Sequence, residues 1–249
     1  MKNMETIGKK YKAKKFIAYF QNFSNTYLPI DSFKSYIKEA ILEGIVGISI
    51  STRPDCINDL YLQFLKEIKD EYNIDITIEL GLQTVNYHSL KKINRGHSLG
   101  EFIDAVMRIK AYNIRICTHL ILNLPWDDIV DTIENSKVIS ALRIDEIKLH
   151  SLYIVDGTAL GNQYKKGEVK LISKEEYIER VITFLEYLDP NIVVQRIIGR
   201  APEENALFVN WHESWWKIRD EIVELMLQRK SFQGIRFNYL NGKAVKKFI

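Results

Sequence analysis

The chain has 249 residues, of which 46% are hydrophobic and 27% are charged. This length and composition exclude a disordered protein and are sufficient for one large globular domain. The net charge of +3, from 35 Lys+Arg against 32 Asp+Glu, does not by itself indicate a nucleic-acid-binding protein. The lysines concentrated near both ends of the chain are explained either by solvated termini or by phosphate binding.

The first residues are polar and rich in lysine, and no apolar run approaches the ~20 residues that a membrane-spanning helix needs. We therefore expect a cytoplasmic protein without a membrane segment. Cys56 and Cys117 are the two cysteines, too few for a disulfide framework or for an all-cysteine metal site.

Apolar runs and helical periodicities alternate along the chain. The predicted strands cover residues 16–22, 46–51, 74–82, 114–122, 147–153 and 192–195. The predicted helices cover residues 31–43, 57–70, 86–94, 100–112, 127–141, 173–187 and 211–229. Short strands alternating with helices indicate βαβ units in a parallel sheet that forms a barrel or part of one. We expect a core barrel over residues 1–160 and a helix-rich C-terminal extension over residues 161–249 packed on it.

Two local features sharpen these boundaries. Asp55, after Pro54, is predicted as the N-cap of the 57–70 helix. Trp211 and Trp215, four residues apart at the start of the last helix, are expected on one helical face, as packing or as a base-stacking platform.

In parallel α/β proteins ligands bind at the carboxyl ends of the strands, so polar residues there are candidate site residues. The stretch from Ile78 to Ser98 carries Glu79 and Gln83 at a strand end, followed by Arg95 and His97. Arginine binds a carboxylate bidentately and Glu79 accepts from an ammonium, which suits a small zwitterionic ligand. The alternative is an exposed turn with a helix-capping arginine.

The 114–122 strand places His119, Ile121 and Asn123 on one face, because side chains alternate along a strand. Such a row is able to bond a ribose at its ends and to pack an adenine in the middle, although a histidine satisfied by a neighbouring loop is the alternative. The sequence has no Gly-rich phosphate loop, His-x-x-x-His pair or nucleophile-elbow serine. Chemistry at this edge of the sheet would therefore depend on a cofactor.

Four motifs in order resemble a known family: Ser51-Thr52-Arg53-Pro54-Asp55, Glu79-Leu80-Gly81-Leu82-Gln83, Asn94-Arg95-Gly96-His97 and His119-x-x-x-Asn123-Leu124-Pro125. The chain is similar to the radical S-adenosylmethionine (SAM) superfamily, especially its elongator-catalytic-subunit-like branch and the YhcC-type oxidoreductases. The resemblance implies a partial (β/α)6 barrel, here without its first βα unit. In that family a [4Fe–4S] cluster cleaves SAM reductively to a 5′-deoxyadenosyl radical.

The resemblance also implies roles for individual residues. Gln83 and Arg95 would hold the methionyl and ribose parts of SAM, His119 would lie near the ribose, and Ile121 would pack on the adenine. The segment from residue 22 to 25 would replace the usual Gly-rich loop. The remaining cofactor-binding candidates are Asn22, Ser24, Asn25, Ser51, Arg53, Glu79 and Asn123, with Ser51 at a position where many relatives have a carboxylate.

The cluster-binding Cys-x-x-x-Cys-x-x-Cys of the family does not occur in this sequence, and Cys56 and Cys117 match neither its spacing nor its place. Because thiolates hold such clusters, we expect these residues alone to bind no cluster and to perform no radical chemistry. The sequence is then either a fragment without the first βα unit or a reading frame that lost it. We interpret it as the core of a radical SAM oxidoreductase of unknown substrate. The alternatives are a cluster-free SAM-binding or RNA-binding module and a non-functional remnant.

Four residues are candidates for substrate binding. Lys148, His150 and Tyr153 either contact the substrate or fill the barrel. Arg196, like Arg200, either binds an anionic group or pairs with the neighbouring glutamates, Glu203 and Glu204.

Overall fold

The computed structural model describes residues 2–200, 202 and 204–248, in which helices and strands alternate as predicted. The strands are β1 (Phe16–Phe20), β2 (Ile45–Thr52), β3 (Asp75–Gln83), β4 (Arg115–Ile121), β5 (Glu146–His150), β6 (Ile154–Val155), β7 (Val193–Arg196) and β8 (Ala206–Phe208). The helices are α1 (Lys2–Tyr11), α2 (Ile30–Glu39), α3 (Asp59–Tyr72), α4 (Tyr87–Lys92), α5 (Leu99–Ala111), α6 (Ile129–Ala141), α7 (Ala159–Lys165), α8 (Lys174–Tyr187) and α9 (Trp215–Gln228). None of the described helices is long and apolar enough to cross a membrane.

The main sheet has the strand order β1-β2-β3-β4-β5-β7, and a separate antiparallel pair joins β6 to β8. The pairs β1–β2, β2–β3 and β5–β7 are parallel. In β3, Ile78, Glu79 and Leu80 are successive residues on opposite faces, and all three are at most 3% exposed. Strands that are covered on both faces are typical of parallel sheets in α/β proteins. The predicted α/β class is therefore confirmed.

The chain divides into two compact units. The first contains the residues up to Leu82 together with Gly100–Thr118. Its core includes Phe33 of α2 and Phe102 of α5, which are 2% and 0% exposed. Phe33 meets Tyr61 of α3 edge to face, with ring centroids 5.2 Å apart.

The second unit contains Gln83–Leu99 and the residues from His119 onward. Here α6 packs on α8, and the Ser136 hydroxyl donates to the Phe184 carbonyl at 2.9 Å. Arg180 of α8 is 3% exposed and donates to the Leu122 carbonyl at 3.2 Å. A buried arginine requires such partners because an unpaired buried charge is costly. Helix α8 is thus tied both to α6 and to the residue that follows β4.

The start of α3 differs from the sequence prediction. Its N-cap is Asn58, whose side chain accepts from the backbone N–H of Leu60 at 3.0 Å. The prediction that Asp55 caps this helix is wrong, because Asp55 lies in a short 3₁₀ turn that precedes it. There its carboxylate accepts from Arg53 at 2.9 Å and 2.5 Å. Pro54 at the start of this turn fixes the local φ and separates the turn from α3.

The C-terminal third also departs from the predicted boundaries. The strand predicted over 147–153 ends at His150, so Tyr153 lies in a loop and is 42% exposed. The helix predicted from residue 211 begins at Trp215. Asn210, Trp211 and His212 instead form a left-handed turn, with φ of 45°, 52° and 61°. The two tryptophans therefore do not share a helical face, and Trp211 packs on Tyr177 with ring centroids 5.0 Å apart.

Candidate functional site

A polar cluster surrounds Glu79 in the first unit. Glu79 is 3% exposed, and its carboxylate accepts from the Ser49 hydroxyl at 2.5 Å and from the Tyr19 hydroxyl at 2.8 Å. The Ser51 hydroxyl donates to the Tyr19 oxygen at 3.3 Å. The predicted site residues Glu79 and Ser51 are thus joined through one tyrosine, and these hydroxyls stabilise the buried carboxylate.

The segment after β1 is held by one side chain. The Asn25 amide donates to the carbonyl oxygens of Phe20 and Ser51, both at 2.9 Å. Asn22 is exposed and Ser24 is half-buried. In this structure Asn25 fixes the position of the segment against the end of β2.

Arg53, a predicted cofactor-binding residue, also lies in the first unit. The hydrogen bond from its side chain to Asp55, together with the charge of that carboxylate, raises the pKa of the guanidinium. The pair is about a quarter to a third exposed, so its contribution to stability is small.

A cavity of about 420 Å³ lies in the second unit. This volume falls in the range of roughly 300–1,000 Å³ that is typical of small-molecule sites. Residues near the ends of β3, β4 and β5 line it, together with the loop after β5, the short strand β6, the N-terminal part of α7 and the residue before that helix: Gln83, His119, Ile121, His150, 151–155, Thr158 and Leu160. The lining combines hydrogen-bonding groups with aliphatic side chains, as an adenosine-sized ligand requires.

Gln83 enters this cavity from an unusual backbone conformation. It is the last residue of β3 and has a φ of +75°, in the left-handed region that non-glycine residues rarely adopt. Such strain costs on the order of 1 kcal/mol and is concentrated at functional sites. The conformation turns the chain sharply from β3 into the loop that leads to α4.

A buried network holds that loop. The Ser89 hydroxyl donates to the carboxylate of Asp127, and the two residues are 0% and 7% exposed. Burial raises the pKa of Asp127, against the opposing effect of hydrogen bonds from Ser89 and Thr84. Thr84 directly follows Gln83, so this network stabilises the backbone that carries a cavity-lining residue.

Two histidines and an arginine form one wall of the cavity region. The rings of His119 and His150 are stacked, with centroids 5.1 Å apart and an interplanar angle of 29°. Nδ1 of His119 lies 3.3 Å from Nε2 of His150. Nη2 of Arg196 lies 2.8 Å from the same Nε2. The same Nη2 lies 3.3 Å from Nδ1 of His150, so the guanidinium, which only donates, is close to both nitrogens of that ring.

The loop after β5 is fixed by asparagines. Asn123 is fully buried, and its side-chain oxygen accepts from the Leu152 N–H at 2.6 Å. The Ser151 hydroxyl donates to the side-chain oxygen of Asn210. Asn123 does not belong to the described cavity lining, but it positions Leu152, which does.

The structure therefore brings together Gln83, His119, Ile121, His150 and Tyr153 around one cavity. Arg95 lies outside the lining and donates to Nε2 of His97 at 2.9 Å, while Lys148 and Arg196 also lie outside it. The lining residues that the sequence did not predict lie between the end of β5 and the start of α7: Leu152, Ile154, Val155, Thr158 and Leu160. The Asp156-Gly157-Thr158 run was the available signal in this segment, since a Gly after an Asp predicts a turn.

The donor set for an iron–sulfur cluster can be tested on the cysteines. Cys117 is fully buried in β4, and Cys56 is half-buried in the turn before α3. Two cysteines do not match the three thiolates that the family's cluster uses, so these residues do not fit the cluster. The cavity of the second unit, in contrast, offers groups suited to adenosine: an aliphatic side chain from Ile121 and hydrogen-bonding groups from Gln83 and His119.

Two family models match the chain. The model of the radical SAM superfamily matches residues 2–135, and the model of the radical SAM C-terminal domain matches residues 144–228. Together the two matched ranges include every residue that lines the described cavity.

Relatives and a solved structure agree with these models. YtqA, an uncharacterized protein of Bacillus subtilis, is 34% identical over 96% of this chain and 74% of its own length. YhcC of Escherichia coli is 30% identical over 82% of this chain and 66% of its own length. The structure of Elp3 from the archaeon Methanocaldococcus infernus matches with a TM-score of 0.77 at 20% identity, over 93% of this chain and 58% of that one. The likeness to Elp3 shows a shared fold.

Proposed function

Because this chain belongs to the radical SAM superfamily, we propose that the cavity of its second unit binds the adenosine part of SAM. One observation carries the proposal: His119 and Ile121, two residues apart on β4, line the same cavity as Gln83. Ile121 supplies an apolar surface for the adenine, and His119 and Gln83 supply hydrogen bonds for the ribose and the methionyl part. The family supplies the expectation of SAM, and the lining residues support it.

The reaction class follows from the family and from the resemblance to YhcC-type proteins. We propose a radical SAM oxidoreductase of the cytoplasm, with a substrate that the comparisons do not identify. When bound, SAM and a [4Fe–4S] cluster supply a radical in this superfamily. We assign no cluster and no radical step to this chain's own residues, since its two cysteines do not fit the family's cluster.

Calorimetric titration tests the cavity assignment without any cluster. We expect both SAM and 5′-methylthioadenosine to bind, because both carry the adenosine part and only SAM carries the amino-acid end. Ile121→Ala should weaken both ligands about tenfold, because losing the apolar contact of roughly two CH₂ groups costs on the order of 1.4 kcal/mol.

Val130→Ala is the matched control, since Val130 is an aliphatic residue of α6 that is 61% exposed and does not line the cavity. It should leave both affinities unchanged. The proposal is wrong if neither ligand binds the unmodified chain, or if Ile121→Ala folds normally and binds 5′-methylthioadenosine as tightly as Val130→Ala does.

Iron–sulfide reconstitution tests the proposal that this chain's own residues hold no iron–sulfur cluster. We expect this chain to take up no cluster, so its absorbance near 400 nm (about the region where cysteine-ligated clusters absorb) should match that of a Cys56→Ser, Cys117→Ser variant. Absorbance that depends on these two cysteines would show that the chain holds iron and sulfide after all.

A further inference from the structure

The wall formed by His119, His150 and Arg196 is positively charged, and the function proposed above does not use that charge. Arginine remains protonated under all physiological conditions. Its Nη2 lies 2.8 Å from His150, a residue that lines the cavity. A permanent positive charge therefore lies directly behind one ring of the cavity wall.

Protein carboxylates do not neutralise this charge within the described structure. Arg196 forms no ion pair with a described residue, and the cavity lining contains no Asp or Glu. Glu203, one of the two glutamates considered as its partner from the sequence, lies outside the described residues. A half-buried guanidinium that forms no ion pair with the described residues favours an anionic ligand, because such a ligand offsets the cost of its burial.

The packing around Arg196 fixes the orientation of its guanidinium. Gly199 lies against the guanidinium, since a Cβ on Gly199 would stand 3.4–3.5 Å from Cζ, Nε and Nη1. Nε of Arg196 is buried there without a hydrogen-bond partner. One edge of the group therefore faces the protein, and Nη2 is the atom directed to His150. Arg196 acts on a ligand through its charge and through the ring that it holds.

We propose that this wall receives an anionic oxygen group of the substrate, a carboxylate or a phosphate. His150 would contact the group with a ring N–H donor, the stacked ring of His119 would lie beside it, and Arg196 would serve as a positioning residue that also supplies charge. The inference rests on the proposed function, in which His119 and Gln83 are assigned to the ribose and the methionyl part of SAM. His150 and Arg196 then remain for the second ligand, and the substrate class becomes an organic acid or a phosphate ester.

Inorganic phosphate is a suitable probe, with ionic strength held constant by chloride. The chain has five histidines, so histidine ring ¹H–¹⁵N signals can be resolved and assigned by single substitutions. We expect phosphate to shift the signals of His119 and His150 saturably and to leave those of His88 and His212 in place. No saturable shift at His119 or His150 would overturn the proposal.

Three variants separate the role of Arg196 from a general charge effect. Arg196→Gln should raise the phosphate concentration at half-saturation by at least about tenfold, because a lost charge-assisted contact is of that size. Arg196→Lys, which keeps the charge, should recover part of the loss. Arg200→Gln removes the same charge from an exposed neighbour and should change nothing. Equal losses in Arg196→Gln and Arg200→Gln would contradict the assignment.

Melting curves establish whether each variant folds. If Arg196→Gln is unfolded, His150→Gln takes its place, and the same tenfold loss is expected because His150 lines the cavity. Normal phosphate binding by a folded His150→Gln would refute the proposal.

The same titration distinguishes the substrate from the amino-acid end of SAM. Phosphate should still bind when the chain is saturated with 5′-methylthioadenosine and when it is saturated with SAM. Loss of phosphate binding with SAM alone would assign the wall to the methionyl carboxylate and contradict the substrate assignment. Failure of 5′-methylthioadenosine to bind, with the phosphate response intact, would instead reject the proposed function and leave an anion site without it.

Discussion

Removing the Ser89 hydroxyl should destabilise the chain by an amount that depends on pH. Ser89→Ala deletes the donor to the Asp127 carboxylate, and both residues are buried. A hydrogen bond to a charged group contributes about 1.5–3 kcal/mol. Alanine is favoured over serine within a helix such as α4 by about 0.5 kcal/mol. The free energy of unfolding should therefore fall by about 1–2.5 kcal/mol near neutral pH.

The sign of the pH dependence follows from the Asp127 pKa. Burial raises this pKa above its ordinary value, and the Ser89 bond opposes that rise. In Ser89→Ala the pKa therefore rises further. The free energy of unfolding of the variant should fall most at pH values where Asp127 is ionised in the unmodified chain. This loss of stability should shrink as the pH falls through the raised pKa, because a protonated Asp127 no longer depends on the Ser89 donor.

Urea unfolding at about pH 7.5 and about pH 4, on either side of the expected titration, measures both quantities. Ser35→Ala is the control, since Ser35 lies on α2, is exposed and bonds only Glu39 among the described contacts, at 3.3 Å. It should change stability by less than about 0.5 kcal/mol at either pH. The reasoning is refuted if Ser89→Ala is no more destabilising than Ser35→Ala, or if its effect is the same at both pH values.

Three further substitutions test other parts of the structure by thermal or urea unfolding. Gly161→Ala should cost about 2 kcal/mol or more, because the new Cβ would overlap the Val155 carbonyl; a neutral effect would show that α7 shifts freely. His212→Gly should change stability by less than about 0.5 kcal/mol, because relief of the φ of +61° is offset by the backbone freedom of glycine in the unfolded chain and by loss of the ring contact with Phe208; a change above about 1 kcal/mol would contradict this. Tyr177→Phe should cost about 1 kcal/mol, because the Tyr177 hydroxyl donates to the Ile197 carbonyl at 3.3 Å. Burial raises the pKa of Tyr177, so this cost should be equal at about pH 6 and about pH 9, and a smaller cost at the higher pH would show that the hydroxyl ionises.

Strand β3 could be predicted from sequence because its apolar run is buried on both faces. The predicted 74–82 strand and the observed Asp75–Gln83 differ by one residue at each end. The family could also be predicted, because its motifs lie at strand ends with fixed spacing, and the family models confirm it. His119 and Ile121, which the alternation of side chains places on one face, line one cavity, whereas Asn123 of the same predicted row does not line it. Their roles in binding SAM remain predictions.

The predictions that were wrong or missing concern features that hydrophobic periodicity does not specify. The left-handed turn at Trp211 contains no glycine that would indicate a turn, so the spacing of the tryptophans predicted a helix there instead. The contact between Arg196 and His150 joins residues 46 positions apart and depends on the register of β5 against β7. Local sequence does not specify that register. The proposed division of the chain at residue 160 and the alternative of RNA binding likewise stay predictions.

The left-handed turn has a consequence for the order in which the molecule is completed during synthesis. Asn210 lies in that turn, and its side chain accepts from Ser151, 59 positions earlier, and donates to the Gly199 carbonyl at 3.4 Å. The ribosome must therefore release the chain well beyond Asn210 before the Ser151 hydroxyl finds its partner. Until then the rim of the cavity next to β5 lacks its anchor. On the function proposed above, a nascent chain should bind adenosine ligands only after Asn210 has been released, when most of its sheet has already formed.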